Sequence, residues 1–295
     1  SSFYRIFKKA SDYKMKFSII IATLNRIEEP LLMLDSLTKQ TMKDFEVLLI
    51  DQNDDDILKK ALERYVNVLP IKHIRTTLKG ASNARNTGIE NAKGKFLSFP
   101  DDDCEFYETF LEEIFQYFES TNIDGIVTTS KDKYDGRAIS ILMSSNPQPI
   151  NRKNVLKTVV EFGIIIKANK VKETLFDPKM GVGTTISPYW SDEGPDFILR
   201  LIEKGVRFNY CPEFYIFHPN PVKNYNDKTA LRSYNYGKGR GYFLKKHNFG
   251  YLYICYYLLI YIVGMFKGML FLNKQMFLYF KKGFIGRYEG YFLSK

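Results

Sequence analysis

The sequence predicts an α/β domain on a mostly parallel central sheet flanked by helices, followed by a helical, basic and aromatic C-terminal region. Three observations predict it. Short β-branched runs alternate with amphipathic segments at the spacing of βαβ units. Polar and acidic residues recur where the apolar runs end. The charge is split along the chain: residues 223–295 hold 13 Lys and Arg against 2 Asp and Glu, whereas the rest hold 30 against 31. At 295 residues the chain can bury one large core or two smaller ones. Its 45% hydrophobic and 26% charged content excludes a disordered polypeptide.

The elements follow in order. "KFSIIIATLNR" reads as a buried strand opening into a loop, and "EEPLLMLDSLTKQT" as a helix with Pro30 at its start. "FEVLLIDQNDDD" is a second strand ending in carboxylates, and "ILKKALERYV" a second helix. "IKHIRTT" is a third strand, and "ASNARNTGIENA" is a helix with Ser82 or Asn83 near its N-cap. "GKFLSFPDDD" is the fourth strand, and "YETFLEEIFQYFES" an amphipathic helix. "DGIVTTS" is another strand; residues 131–160 mix loop and short elements; "EFGIIIKANKV" is strand-like. "DFILRLIEKGV" is a helix with Asp196 in its first turn and Gly205 as its stop. "RFNYCPEFYIFHPNP" reads as strand, turn and strand end.

Cys104, Cys211 and Cys255 are odd in number and widely spaced, which argues for reduced thiols and against a disulfide framework or zinc site. Residues 1–14 read as an N-terminal extension outside the fold, and Phe17–Ala22 is too short for a secretory segment.

In open α/β sheets ligands bind beyond the carboxyl ends of the strands. Thr23, Asn25, Asp51 and Asp101–Asp103 all fall there. Loops are polar in any case, which accounts for Asn and Thr. Three adjacent carboxylates after an apolar strand are harder to explain, because they repel one another unless a cation sits among them. Mg²⁺ and Mn²⁺ prefer such oxygens and usually bridge them to substrate phosphates.

The order strand–"ATLNR"–helix, strand–"LLIDQNDDD", "GASNARNTG" and strand–"FPDDDC" resembles the inverting glycosyltransferases of family 2, over about Lys16 to Pro219. The resemblance implies the GT-A fold, with residues 15–222 as catalytic domain and 223–295 as a membrane-associating region. It implies a nucleotide-diphosphate sugar donor, contacted by Thr23, Asn25, Arg26, Asp51, Ser82, Arg85, Asn86, Asp101 and Asp102. It implies Mn²⁺ or Mg²⁺ held by Asp103 with Asp101 and His218, the His following the base helix. A divalent ion there stabilises charge growing on the leaving diphosphate.

Inversion also needs a base for the acceptor hydroxyl. The family keeps it in an acidic motif before a helix, matched here by "GVGTTISPYWSDEGPDFILR". The chain departs from that motif, since Gly194 stands where the catalytic Asp is expected. Glu193 or Asp192 serves instead, with Glu193 favoured. Trp190 and Asp196 are acceptor-contact candidates, against ordinary packing for Trp190 and a helix cap for Asp196. Arg200 reads as a structural ion-pair partner, and His73 and His247 as surface residues.

"NFGYLYICYYLLIYIVGMF" runs 19 residues, Asn248 to Phe266, without a formal charge. That nearly meets the length of a spanning helix. Its five Tyr favour the interface, and the interleaved Lys and Arg favour an anionic membrane over nucleic acid. The expectation is helices lying in the cytoplasmic leaflet, with a single span or a soluble helical subdomain as alternatives. Gly264-x-x-x-Gly268 is too weak a pattern to support a helix dimer. The function expected is sugar transfer to a hydroxyl of a glycan or lipid-linked acceptor. The alternatives are a sugar-phosphate nucleotidyltransferase, disfavoured because "ATLNRIEEP" has no Gly-rich phosphate loop, and an inactive glycosyltransferase-like membrane partner.

Overall fold

The computed structural model of the chain describes residues 14–138, 143–171, 173–219 and 224–294. In chain order the elements are β1 (Met15–Thr23), α1 (Glu28–Thr38), β2 (Phe45–Asp51), α2 (Ile57–Leu62), β3 (Ile71–Arg75), α3 (Ala81–Asn91), β4 (Gly94–Ser98), α4 (Phe110–Ser120) and β5 (Gly125–Lys131). There follow β6 (Gln148–Pro149), α5 (Val155–Thr158), β7 (Ile164–Lys167), α6 (Ala168–Val171), α7 (Glu193–Glu203), β8 (Phe208–Phe217), α8 (Asp227–Lys246), α9 (Tyr251–Leu270) and α10 (Lys274–Tyr288). The extension expected over residues 1–14 lies outside the described residues, Lys14 apart.

The chain forms two compact units. The first takes in the chain up to Leu78, Ala84–Leu175 and the stretch from Phe197 through β8. It holds one eight-stranded sheet in the order β3-β2-β1-β4-β7-β5-β8-β6. β1 pairs in parallel with β2 and β4, β2 with β3, and β5 with β8. β7 runs antiparallel between β4 and β5, and β6 is an antiparallel edge on β8. Six strands therefore point one way. The apolar runs of β1, β2 and β4 are buried because helices cover them. Phe17, Ile19, Val47, Leu49 and Phe96 form one core with Leu34 and Leu37 of α1 and Phe110, Leu111 and Ile114 of α4.

Three local differences from the sequence reading have physical causes. The strand–turn–strand expected over 207–221 is one long strand, β8. Its register against β5 jumps from Cys211 to Tyr215 at Thr128/Thr129, so the residues read as a turn form a bulge. β7 is shorter than expected, because the chain turns into α6 directly after Lys167. α7 starts at Glu193 rather than near Asp196, taking Gly194 and Pro195 into its first turn, where Pro is tolerated. Gly205, with φ +83°, closes the helix end as expected.

The second unit combines Lys79–Asn83, Phe176–Asp196 and the helices α8 to α10. Asn226 caps α8 with a capping box to Thr229. The "GKGRG" stretch in α8 exists for close approach. A Cβ at Gly241 would lie 2.4 Å from the Arg287 carbonyl of α10, and one at Gly239 would lie 2.5 Å from Ser191. Among the described residues, α9 is the one helix long and apolar enough to cross a membrane, with mean hydropathy 1.6.

Candidate active site

Parallel strands deliver their carboxyl ends to one edge. Thr23 at the end of β1 sits beside Asp51 at the end of β2 in the pairing register. Ala22 bridges to Asp101 just past β4. β8 points the same way, and Glu105 pairs with Phe217 at its end. This topology sets His218 beside Asp103 across more than a hundred residues of sequence.

Asp101, Asp103 and His218 each offer a ligand atom, all within 4.8 Å of one another. Phe162 stacks on the His218 ring with centroids 4.7 Å apart at 10°, which fixes the imidazole plane. Asp103 Oδ1 is buried and accepts no hydrogen bond among the described residues. It lies 3.3 Å from His218 Nε2, an ion-pair contact without hydrogen-bond geometry. A buried carboxylate oxygen with no donor is costly unless a cation completes it. The donor set therefore fits a divalent metal. Two carboxylates suit Mg²⁺ or Mn²⁺, and the imidazole tilts the choice toward the transition metal.

Protein cations answer much of the repulsion in "DDD". Arg26 Nη1 donates to Asp102 Oδ1 at 2.7 Å and to Asp103 Oδ2 at 2.8 Å. Arg85, buried on α3, donates to Asp101 Oδ1 at 2.9 Å. The two neighbours then titrate in opposite directions. Burial pushes the Asp102 carboxyl up to about 6, and Arg26 only tempers it. Burial acts on Asp103 too, but His218 and Arg26 outweigh it and hold that carboxyl down at about 2. For His218, desolvation favours the neutral ring, yet Asp103 beside it raises its pKa above the ordinary value.

The remaining donor-side candidates form a hydrogen-bonded cradle. Asp51 is fully buried; its Oδ1 accepts from the Asn53 backbone and side chain at 2.9 and 2.7 Å, and its Oδ2 lies 2.8 Å from His73 Nε2. His73, expected at the surface, is partly exposed and is tied to the strand end by Asp51, because β3 pairs with β2 at this point. Asn25 takes the left-handed conformation, φ +56°, and its N–H donates to Asn53 Oδ1 at 2.6 Å. Thr23 is buried at the end of β1, and its hydroxyl helps to hold the Asp102 carboxyl down against burial. Asn86 is half-buried on α3. The Ser82 hydroxyl donates to the Met180 carbonyl at 2.6 Å, so it ties the start of α3 to the 176–196 segment.

The base candidates lie in the second unit, where α8 supplies counter-charges. Asp192, in the left-handed region at φ +64°, accepts two bonds from Arg240, at 2.7 and 2.8 Å. Asp196 is fully buried and accepts from Lys246 Nζ at 2.6 Å and from His247 Nε2 at 2.9 Å. Asp196 is therefore the centre of a buried ion cluster and more than a helix cap. His247 is buried within that cluster, a correction to the surface placement read from sequence, because it caps α8 where the helix meets Asp196. Glu193, the first residue of α7, is buried, and a Cβ at Gly181 would come within 3.1 Å of its carboxyl carbon. Trp190 is half-buried. Arg200, expected as an ion-pair partner, donates to the Leu175 backbone carbonyl at 2.8 Å.

Sequence reasoning missed Arg240, Lys246, His73 and Phe162. The signal for the first two was the "GRGYFLKKH" stretch, which carries Arg240 and Lys246 six residues apart on one helix.

A mostly parallel sheet with an acidic–imidazole cluster at its carboxyl edge defines a GT-A-type nucleotide-sugar fold. The profile of glycosyl transferase family 2 matches residues 18–169, and the chain belongs to that family. A Haemophilus influenzae protein described as an uncharacterized glycosyltransferase is 30% identical over 190 residues, 63% of this chain. This chain spans only 62% of that relative's length. The poly(ribitol-phosphate) beta-N-acetylglucosaminyltransferase TarP of Staphylococcus aureus is 27% identical over 239 residues, covering 77% of this chain and 69% of TarP. The mannosyltransferase PcManGT of Pyrobaculum calidifontis, solved in complex with GDP-Man and Mn²⁺, superposes with a TM-score of 0.65. That match covers 96% of this chain and 89% of PcManGT; at 14% identity it is a likeness of fold.

Proposed function

We propose that the protein is a metal-dependent, inverting glycosyltransferase that moves a sugar from a nucleoside-diphosphate donor to a hydroxyl of a polysaccharide or lipid-linked acceptor. The observation that carries this reading is the triad Asp101, Asp103 and His218, whose ligand atoms lie within 4.8 Å and whose Asp103 Oδ1 has no hydrogen-bond donor among the described residues. A divalent ion held there, Mn²⁺ before Mg²⁺, supplies Lewis-acid stabilisation to the departing diphosphate. TarP, named for a polymer acceptor, and PcManGT, solved with a nucleotide sugar and Mn²⁺, support the same reading.

The chain's own groups have separate tasks. Arg26 and Arg85 hold the aspartates at fixed positions, so no reorganisation is needed as charge develops. Thr23, Asn25, Asp51 and Asn86 belong to the nucleotide side, at the carboxyl ends of the strands and on α3. Glu193 takes the proton from the acceptor hydroxyl. Asp192 and Asp196 are held by Arg240 and by Lys246 with His247, so their lone pairs serve the structure. Trp190 lines the acceptor side. Residues 223–295 bring the enzyme to a membrane surface on the cytoplasmic side, where lipid-linked acceptors reside.

The test is donor hydrolysis or transfer with Mn²⁺, run across a panel of nucleotide sugars. Asp103→Ala is expected to lower the rate by about 10²–10³-fold, the scale of losing one preorganised electrostatic group. Undiminished turnover in that variant would remove the metal role from the triad.

A further inference from the structure

α9 is apolar on two opposite faces, and among the described residues only one of them is covered. Gly264 and Gly268 are buried on the inner face: a Cβ at Gly264 would sit 2.1 Å from the Phe280 ring, and one at Gly268 would sit 2.7 Å from the Phe277 backbone. Tyr261, at the middle of α9, lies against Gly283 and under the Arg287 guanidinium, 3.9 Å from its ring centroid. The small-residue pair thus joins α9 to α10 within one chain. On the outer face, Leu252, Tyr256, Leu259, Val263, Phe266 and Leu270 recur at alternating steps of four and three. All six are exposed, and together they form one stripe along a helix about 30 Å long.

The charges decide how such a stripe meets lipid. Lys267, Lys274, Lys281 and Lys282 are exposed. Lys281 and Lys282 stand between Phe280 and Gly283, which pack on Gly264 and Tyr261. If α9 crossed a bilayer, its partner helix would carry these two lysines toward the hydrocarbon centre, a strongly unfavourable position. With the hairpin in the plane of the surface, the stripe enters the acyl boundary and the lysines stay at headgroup level. The excess of 13 basic over 2 acidic residues in 223–295 complements an anionic surface.

We propose that the α9–α10 hairpin is an in-plane anchor for an anionic bilayer surface, with this stripe as its inserted face, and that α9 does not span. This rests on the reading of residues 223–295 as membrane-associating and is independent of the sugar-transfer chemistry. The full chain is to be floated with vesicles of equal parts phosphatidylglycerol and phosphatidylcholine. Leu259→Asp with Val263→Asp is expected to weaken vesicle partitioning at least about tenfold while leaving the unfolding temperature and the Mn²⁺-dependent nucleotide-sugar thermal shift unchanged. On a Cys255→Ser background, Leu272→Cys is expected to react from outside the vesicle with an impermeant maleimide. Protection of that position until detergent is added would establish a span and overturn the proposal. So would wild-type partitioning of the stripe variant, or absence of vesicle binding. A protein that binds vesicles but no nucleotide sugar would leave the anchor standing and sink the transferase reading.

Discussion

Two acidic stretches in this chain face the same electrostatic problem and resolve it differently. At Asp101–Asp103 the carboxylates are braced by Arg26 and Arg85, yet a buried oxygen of Asp103 faces His218 at 3.3 Å with no hydrogen bond among the described residues. At Asp192–Asp196 the flanking aspartates are closed off: Arg240 grips one with two bonds, and Lys246 and His247 hold the other. The first stretch is charge-balanced only in part, which is what a site for an additional cation requires. The second is balanced by one helix, which locks the backbone on either side of Glu193. Each run carries three carboxylates, and what sets the two apart is the counter-charges that the fold delivers.

The sharpest way to break the contrast is Glu193→Gln. Transfer to an added acceptor is expected to fall by about 10²–10⁴-fold, the range for losing a general base. The donor-induced thermal shift is expected to stay, and a rate that survives would return the base role to Asp192. Next comes Arg240→Met, which leaves the Asp192 charge buried without its partner. A loss of about 3–5 kcal/mol in unfolding free energy is expected by denaturant titration, and Asp192→Asn on top should restore part of it.

A third experiment reads the open site by pH. The folded-state pKa of His218 is raised, so its contribution to metal-free stability is present below the unfolded value and is lost as pH rises through the folded one. The Asp103 pKa is lowered to about 2, so its contribution is present above the ordinary carboxylate value and is lost as pH falls toward 2. A metal needs the neutral imidazole. Apparent Mn²⁺ affinity is therefore expected to drop as pH falls below the raised His218 pKa, by at most about tenfold per unit for one displaced proton. Isothermal titration at two pH values checks it, and a pH-independent affinity would exclude His218 as a ligand. The smallest effect expected is Phe162→Leu: about 0.5–1.5 kcal/mol of stability from the lost ring stacking, with weaker Mn²⁺ binding by the unpinned imidazole.

Much of the first unit was legible because parallel strands announce themselves. Each of β1, β2 and β4 is an apolar run with a polar end, and helix spacing between them leaves little choice of topology. Asp101 and Asp103 followed from that edge rule. His218 required more, since its place depends on β8 running parallel to β5 and on a bulge that periodicity does not reveal. The α8 counter-charges were hidden for a similar reason. Arg240 and Lys246 read as part of a basic tail, and only tertiary packing turns them toward Asp192 and Asp196. His247 reads as a surface residue because a lone histidine carries no periodic signal, while in space it is buried against Asp196.

The grip of α8 on the acidic segment has a practical consequence for anyone trimming this chain. A shortened protein ending near residue 222 would drop the basic, aromatic helices α8 to α10. It would also lack Arg240, Lys246 and His247, and so would leave Asp192 and Asp196 stripped of their ion pairs on either side of Glu193. Such a truncation gives up the clamp on Asp192 and Asp196, whereas charge substitutions on the outer face of α9 leave it in place.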